Sequence, residues 1–551
     1  MLDEKKLIEY EYFPMELPNC FSTSDILKHY SEIKGQLNAT NYNTSKPLLF
    51  SIYKNEKARR RMALPNLYHY MKSIQILCEN ESELERIYNL SKYSLTKPSK
   101  NQKNTERRAF NRESNTPKDT RSRNENLYLD NTVCIKMDIS NFFDSIYTHS
   151  IAWVFHTKSI AKQKKNDNIL LGNKIDGCLQ GMNDRQTHGL LVGNAVSRLI
   201  AELILCKIDE AILRKFPKVE MCRYVDDYSF YIKEGVNQLY SVDEIITFVR
   251  NQLLEYDLLL NESKTKILKA PFIFGQNGLD ELQSIIVTDA YLYFNRMMFI
   301  YNKYQDIALL RYGLKVLRYK LNNENFSLLF PLLINLWVKF PSLADCILPI
   351  LYDFKSEVKK RTLTNALKTV VLNGLSYRNE IEVVWAIWAM VCFDIQITSK
   401  LLQEIITSNN DFAIIQVLAY LKKDNKPFYQ TGVLELEKII IQDATNEITN
   451  LDNNDEYILT SRWLLIYEIV VKNITSNETI VNYVKNNQFF NKLLLLKVDF
   501  YNPETMVFHK KEQRKKESIR KMLSSITGNS VSEKQIEEMV EIIEKNSGWM
   551  Y

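Results

Sequence analysis

The rhythm of hydrophobic and polar positions changes near residue 270. Upstream, Val133 to Met137 alternates and carries β-branched residues, which predicts a strand ending at Asp138. In "HGLLVGNAVSRLIAELILCKIDEAIL" the apolar positions Val196, Leu199, Ile200, Leu203, Ile208 and Ile212 predict a helix with one buried face, entered through a turn at Gly189 and Gly193. The segment "CRYVDDYSFYI" is apolar and aromatic on both sides of Val225 and Asp226, and reads as a hairpin whose tight turn presents two adjacent aspartates. Downstream, glycines thin out and amphipathic stretches succeed one another: "RTLTNALKTVVLNGL", "EVVWAIWAMVCF", "DFAIIQVLAYLKK", "SRWLLIYEIVVKN" and "EKQIEEMVEIIEK". These predict helical hairpins stacked as a bundle or short solenoid. The division expected is an α+β unit over 1–270 followed by an all-helical unit over 271–551.

Composition narrows the setting. At 551 residues and 45% hydrophobic content, the chain can bury sizeable cores. Its net charge of +6 permits a polyanionic partner without requiring one. Lys97 to Arg123 is the exception, with nine Lys or Arg against three Asp or Glu and almost no apolar residues, so it reads as a long loop that is either a solvated linker or faces nucleic acid. The tail "HKKEQRKKESIRKM" is basic and amphipathic, a pattern more often solvated than functional. The eight cysteines are scattered without a C-x-x-C pair, which points to buried thiols in a reducing compartment. The N-terminus lacks the apolar core of a signal peptide, and the apolar run Phe326 to Tyr352 is broken by Pro331, Lys339, Pro341, Asp345 and Pro349. A cytoplasmic protein without membrane spans is the expectation.

The two aspartates of the hairpin raise a question of cost, since like charges held together in a strand turn repel. A carboxylate at a strand end and two more on a facing turn make a hard-oxygen set of the kind that holds Mg²⁺, and phosphoryl transfer commonly uses two such ions. Cations between the carboxylates would offset the repulsion. An exposed β-turn that merely favours Asp is the plain alternative, but the order of strand aspartate, glycine turn and helix, aspartate hairpin and then "NESKTKIL" is more than a turn requires.

In that order the blocks resemble the palm of reverse transcriptases: "MDISNFFDSI" the first motif, "HGLLVGNAVSRLIAEL" the second, "RYVDDYSFY" the third and "NESKTKIL" the fourth, with a finger-like "KNEKARRRMALPN" upstream. The likeness covers about Lys54 to Leu268. Within the family, "ARRRMALPNLYHYM", "YTHSIAW" and the HG-x-x-x-GN-x-x-SR pattern are similar to the abortive-infection (AbiK-like) group. The resemblance implies a reverse-transcriptase-like fingers and palm followed by a helical-repeat (HEAT-like) domain. It implies Asp138, Asp226 and Asp227 as catalytic metal ligands for two Mg²⁺ ions, with Mn²⁺ as a substitute. It places Phe143 as a steric gate favouring deoxynucleotides, Arg59 and Arg60 on the triphosphate, Gly193 and Ser197 under the nucleotide and template side, and Lys264 near the pyrophosphate. Phe143 read plainly is a core aromatic, and the two arginines a solvated basic helix face.

Two departures bear on templating. The second motif lacks the usual Gln-Gly and Ser-Pro and has Leu191 where related members carry proline, and the fourth runs into helices with no recognisable thumb. The group resemblance implies untemplated, protein-primed DNA synthesis in phage defence, a homo-oligomer, and partners comprising deoxynucleoside triphosphates and a single-stranded DNA product attached to protein. Among 31 tyrosines, Tyr10 and Tyr12 stand on a polar N-terminal segment where mobility would let a phenol reach the site, the alternative being that they dock that segment onto the core. The runner-up readings are an RNA-templated enzyme with a partner noncoding RNA, and a non-catalytic nucleic-acid-binding scaffold.

Overall fold

The computed structural model of the chain describes residues 2–55, 57–98, 127, 131–165, 167–233, 239–270, 278–448 and 458–503, the side chains of 447 and 448 aside. Most of the basic stretch Lys97 to Arg123, the basic tail segment and "EKQIEEMVEIIEK" lie outside these residues.

The alternation at Val133 to Met137 becomes a strand, β3, when two others are counted ahead of it. Leu48–Asn55 (β1) and Ala58–Leu64 (β2) form an antiparallel hairpin, with Phe50 opposite Met62 and Tyr53 opposite Arg59. β3 (Val133–Asp138) then lies centrally in a four-stranded antiparallel sheet with Glu220–Tyr224 (β4), Asp227–Ile232 (β5) and Lys266–Lys269 (β6), in the order β4-β5-β3-β6. Its register places Asp138 directly opposite Asp227. β4 and β5 are joined by the two residues Val225 and Asp226, since Tyr224 pairs with Asp227.

The expected helix runs Ala195–Lys215, its start capped by Asn194, whose side chain accepts from the Ser197 amide. Burial on one face was the expectation, but Ala201, Glu202, Leu205, Cys206 and Asp209 are buried as well. The reason is coverage: Arg223 of β4 reaches Glu202 and Asp209 from one side, and the helices Leu67–Glu79, Glu81–Tyr88, Ser150–Phe155 and Val242–Leu254 close the others.

Beyond residue 278 the described chain is helical and its helices contact one another alternately. Ala290–Tyr304, Asn323–Lys339, Lys360–Ser376, Ser399–Ile406, Tyr429–Ile448 and Glu478–Lys485 stack as one layer. Ile307–Lys320, Ala344–Asp353, Glu380–Cys392, Asp411–Lys423, Trp463–Val471 and Gln488–Leu495 stack as the other. Stacked hairpins are what the succession of periodic stretches predicts. The second layer departs from amphipathicity, because Glu380–Cys392 and Trp463–Val471 are buried nearly all round. Glu380–Cys392 is covered by the first layer and by β1, and Trp463–Val471 by Asp411–Lys423, Glu478–Lys485, Gln488–Leu495 and Phe500. Glu380–Cys392 packs on β1, Trp385 Nε1 donates to the Glu16 carbonyl at 2.8 Å, and Asn66 Nδ2 donates to the Ile458 carbonyl at 3.3 Å. Farther along, the Ser22 amide donates to Phe500 O and the Asn502 amide to Cys20 O, both at 2.9 Å. One apolar core runs through both units.

The apolar run Phe326 to Tyr352 falls into Asn323–Lys339 and Ala344–Asp353, separated by the turn Pro341–Leu343. Among the described residues no helix is long and apolar enough to cross a membrane.

Candidate active site

Three strands bring the carboxylates together. Asp138 ends β3, Asp227 begins β5 opposite it, and Asp226 sits on the turn one residue earlier. Direct cross-strand placement of like charges is unfavourable, and the environment of Asp226 registers it. Burial, followed by the charges of Asp227 and Asp138, pushes its carboxyl up to about 6, although its own backbone amide works the other way. Burial and Asp138 likewise raise Asp227 above the usual carboxylate range. The turn itself is strained: Val225 has φ 52°, a left-handed conformation that a β-branched side chain rarely adopts, at a cost of about 1–3 kcal/mol.

The cation nearest this cluster comes from the fourth block. Lys264 ends a short 3₁₀ turn just before β6 and places its Nζ 2.9 Å from Asp138 Oδ2. The same oxygen accepts from Asn261 Nδ2 at 3.0 Å, while the Asn261 amide donates to the Asp138 carbonyl at 2.8 Å. The bond to Asp138 raises the Lys264 ammonium above its ordinary range. Lys264 is 60% exposed, so it can swing away when another cation approaches. Among the described residues no three His, Cys, Asp or Glu side chains converge into a ready ligand set. In donor type and charge the three aspartates nevertheless fit a hard divalent ion, because they are oxygen donors and Asp138 lies close enough to help raise the proton affinity of Asp226 and Asp227.

Phe143 packs at the edge of the main apolar core. It is half-buried and lines a small cavity with Thr96, Arg198, Glu202 and Val225, the residue before Asp226. Arg198 had no role in the sequence reading. It follows Ser197 in the N-x-x-S-R run and is ion-paired with Glu11, a partner far away in sequence that no local spacing could reveal.

The remaining expected residues are placed elsewhere. Gly193 (φ 113°) lets the palm approach the fingers: a Cβ there would lie 2.7 Å from Met62 Cε, and the neighbouring Val192 carbonyl accepts from the Ala63 amide. Ser197 is 1% exposed, with its amide and hydroxyl both occupied by Asn194, so it serves the helix start rather than an open nucleotide surface. Arg59 closes a fork on Glu382, Nη1 to Oε1 at 3.1 Å and Nη2 to Oε2 at 2.7 Å, while its Nε donates to Ser51 Oγ. Its guanidinium therefore joins the fingers to the helical unit and is not held ready for a triphosphate. Arg60, on the other face of β2, lines a cleft of about 530 Å³ with Lys54, Arg311, Lys315 and Trp385, again toward the helical unit.

The N-terminal tyrosines also differ from expectation. Asp3 caps the helix Glu4–Glu11, whose Leu7 and Ile8 are buried, so this segment is docked rather than free to reach. Tyr12 is 0% exposed, donates its hydroxyl to Pro65 O at 2.7 Å and packs on Tyr70. Burial, with Tyr70 beside it, pushes its phenol well above the ordinary range, which is the opposite of what a priming nucleophile needs. Tyr10 is half-buried on the same helix.

Comparison with known proteins bears on the same region. The family model described as reverse transcriptase (RNA-dependent DNA polymerase) matches residues 99–277, a span that includes β3 to β6 and every aspartate discussed above. No curated protein matches. Among solved structures, the chain is similar to apo telomerase from Candida tropicalis, with 12% identity and a TM-score of 0.30 over 76% of this chain and 73% of that one. Residues 99–277 thus match a reverse-transcriptase domain, and the sheet within that span sets Asp138 opposite Asp227.

Proposed function

We propose that the chain is a Mg²⁺-dependent DNA polymerase of the reverse-transcriptase type, adding deoxynucleotides without a template and acting in abortive infection. The observation that carries the catalytic part is the register of β3 and β5, which sets Asp138 against Asp227 with Asp226 on the adjoining turn. Two divalent cations held by Asp138, Asp226 and Asp227 would supply charge stabilisation at the transferred phosphoryl group and lower the proton affinity of the attacking hydroxyl. Lys264, released from Asp138, can turn its ammonium toward the leaving phosphates. Phe143, which shares a cavity with Val225, would in this reading exclude a ribose 2′-hydroxyl.

The untemplated reading draws support from the second block. Met62 of the β1–β2 hairpin and Pro14 close over Gly193, so this part of the side expected to lie beneath a template is occupied by the chain itself. The abortive-infection reading rests on the motif resemblance together with the stacked helical hairpins behind the palm. A protein-borne primer remains part of the proposal, but not on Tyr12, whose hydroxyl is enclosed.

The test is to incubate purified protein with labelled deoxynucleotides and Mg²⁺, with and without prior nuclease treatment, and resolve the products on a denaturing gel. Label in a protein-sized band that survives nuclease pretreatment is the expected result. Label only in free nucleic acid, lost when RNA is removed beforehand, would replace this reading with RNA-templated synthesis.

A further inference from the structure

We propose that Arg223, Glu202 and Thr96 form a positioning element for the catalytic turn, holding both backbone polar groups of Val225 and thereby fixing how Asp226 leaves the hairpin. The inference rests on the polymerase reading of Asp226. Arg223 is the β4 residue two places before Val225 and is 0% exposed. Its Nη1 donates to the Val225 carbonyl at 3.0 Å. On the other side of the same residue, the Val225 amide donates to Thr96 Oγ1 at 3.3 Å. The two holders are then tied to one carboxylate, because Thr96 Oγ1 donates to Glu202 Oε2 at 2.9 Å while Arg223 Nη2 donates to Glu202 Oε1 at 2.8 Å.

Every remaining donor of the guanidinium is also occupied. Nε donates to Asp209 Oδ2 at 2.9 Å, Nη2 to the same oxygen at 2.8 Å, and Nη1 to Glu202 Oε2 at 3.2 Å. Ser91 Oγ donates to Asp209 Oδ2 at 2.6 Å, and the Leu95 amide donates to the Arg223 carbonyl at 2.9 Å, so the 91–96 segment runs beside β4 as an extra tie. Burial alone would raise Glu202, yet Arg223, Ser94 and Thr96 hold it below the ordinary carboxylate range, which keeps the network charged and taut.

Structural need alone does not explain this arrangement. A buried arginine needs partners, and Glu202 and Asp209 already supply two carboxylates; reaching on to the Val225 carbonyl, with Thr96 clasping the amide, concentrates the network on the one strained residue that precedes Asp226. A left-handed β-branched residue persists only where its surroundings over-determine it. Releasing it would let the turn relax and move the Asp226 carboxylate away from Asp138 and Asp227.

The experiment compares wild type with Thr96→Val, Thr96→Ser and the charge-neutral triple variant Arg223→Met, Glu202→Gln, Asp209→Asn. Folding is checked by circular dichroism and thermal unfolding. Two readouts follow: steady-state deoxynucleotide incorporation, and Mn²⁺ binding to the nucleotide-free protein by paramagnetic resonance. Thr96→Val should fold, lose about 10-fold or more in kcat with little change in nucleotide KM, and bind Mn²⁺ more weakly, while Thr96→Ser, which keeps the hydroxyl, restores both. The triple variant should lose more in the same two measurements; if it does not fold, the Thr96 pair decides alone. Folded Thr96→Val with wild-type kcat and Mn²⁺ affinity would overturn the inference while leaving the polymerase reading intact. A wild type that incorporates nothing would overturn the polymerase reading, and the Mn²⁺ titration would then decide this one: equal affinity in Thr96→Val and wild type, or no Mn²⁺ binding by either, rejects it.

Discussion

In the helical unit, Arg462 lies between Asp411 at 3.0 Å and Asp443 at 2.8 Å, and Arg318 places Nε and Nη2 on the two oxygens of Asp353. At the palm turn, three carboxylates meet and Lys264 is the cation bonded among them, on an exposed side chain. Glu468 shows how the helical unit treats an acid whose cation is more distant: burial and then Asp499 push it up to about 8, so it is neutral at physiological pH, with Lys472 3.6 Å away. Asp226, at about 6, stays charged there. Buried charge in the helical unit is thus closed by pairing or removed by protonation, as stability demands. The palm keeps ionised carboxylates near one another, an arrangement that makes physical sense where cations arrive from solution with the substrate.

The strongest way to break this contrast is to remove the strand-end carboxylate. Asp138→Ala should lower nucleotide incorporation by about 100-fold or more in a steady-state assay, because a preorganised charge at the reacting centre is lost. Retained activity would place the chemistry elsewhere.

Phe143→Ala tests what the cavity beside the turn selects. The ratio of ribonucleotide to deoxynucleotide incorporation should rise about 10-fold or more, a size common for removing a steric wall in a pocket. An unchanged ratio would return Phe143 to a packing role, with any fall in overall rate then a packing effect.

Asp226→Asn sharpens the contrast through stability. The folded carboxyl titrates near 6 and the unfolded one at its ordinary 3.8, so the folded state binds the proton more tightly and wild type loses stability as pH rises between these values. In EDTA the asparagine variant should therefore match wild type near pH 4 and exceed it by about 1–2 kcal/mol at pH 7.5, the full shift being discounted because Asp226 is only partly buried. Thermal unfolding at the two pH values reads it. A gap that is the same at both would show that burial and repulsion at the turn do not raise this carboxyl.

The smallest effect belongs to Glu468→Gln. At pH 4 the wild-type carboxyl is protonated in both the folded and the unfolded chain, so the amide should change stability there by less than about 1 kcal/mol, whereas wild type alone should weaken as pH rises from about 4.5 to about 8. Chemical unfolding at pH 4 and pH 9 measures the difference. A gap that is the same at both would mean that Glu468 is ionised and that the helical unit tolerates unpaired charge after all.

Much of this architecture is legible in the sequence because its signals are local. The alternation at β3, the helix entered after the turn at Gly189 and Gly193, and the tight turn between Tyr224 and Asp227 each rest on signals within a few residues. Asp138, Asp226, Asp227, Phe143 and Lys264 are gathered near one turn by that local order together with strand register. What sequence could not resolve depends on contacts between distant segments. Arg59 reads as a free cation until Glu382, in a helix more than three hundred residues away, closes on it. Tyr12 reads as mobile until the Pro65 carbonyl accepts its hydroxyl, and Ser197 as exposed until the surrounding helices cover it. Arg223 is legible as the first residue of an R-Y-x-D-D run, but its role depends on Glu202 and Asp209 facing it from another element.

The central claim is that the palm carboxylates carry cation-dependent nucleotide transfer, and a time course of labelled deoxynucleotide incorporation tests it most directly. Wild type and the Asp226→Asn, Asp227→Asn double variant would be followed in Mg²⁺ and in EDTA, after thermal unfolding has shown that the variant is folded. The account predicts incorporation by wild type in Mg²⁺ alone and none by the variant in either condition. Equal incorporation by the two proteins, or incorporation by wild type that persists in EDTA, would contradict it.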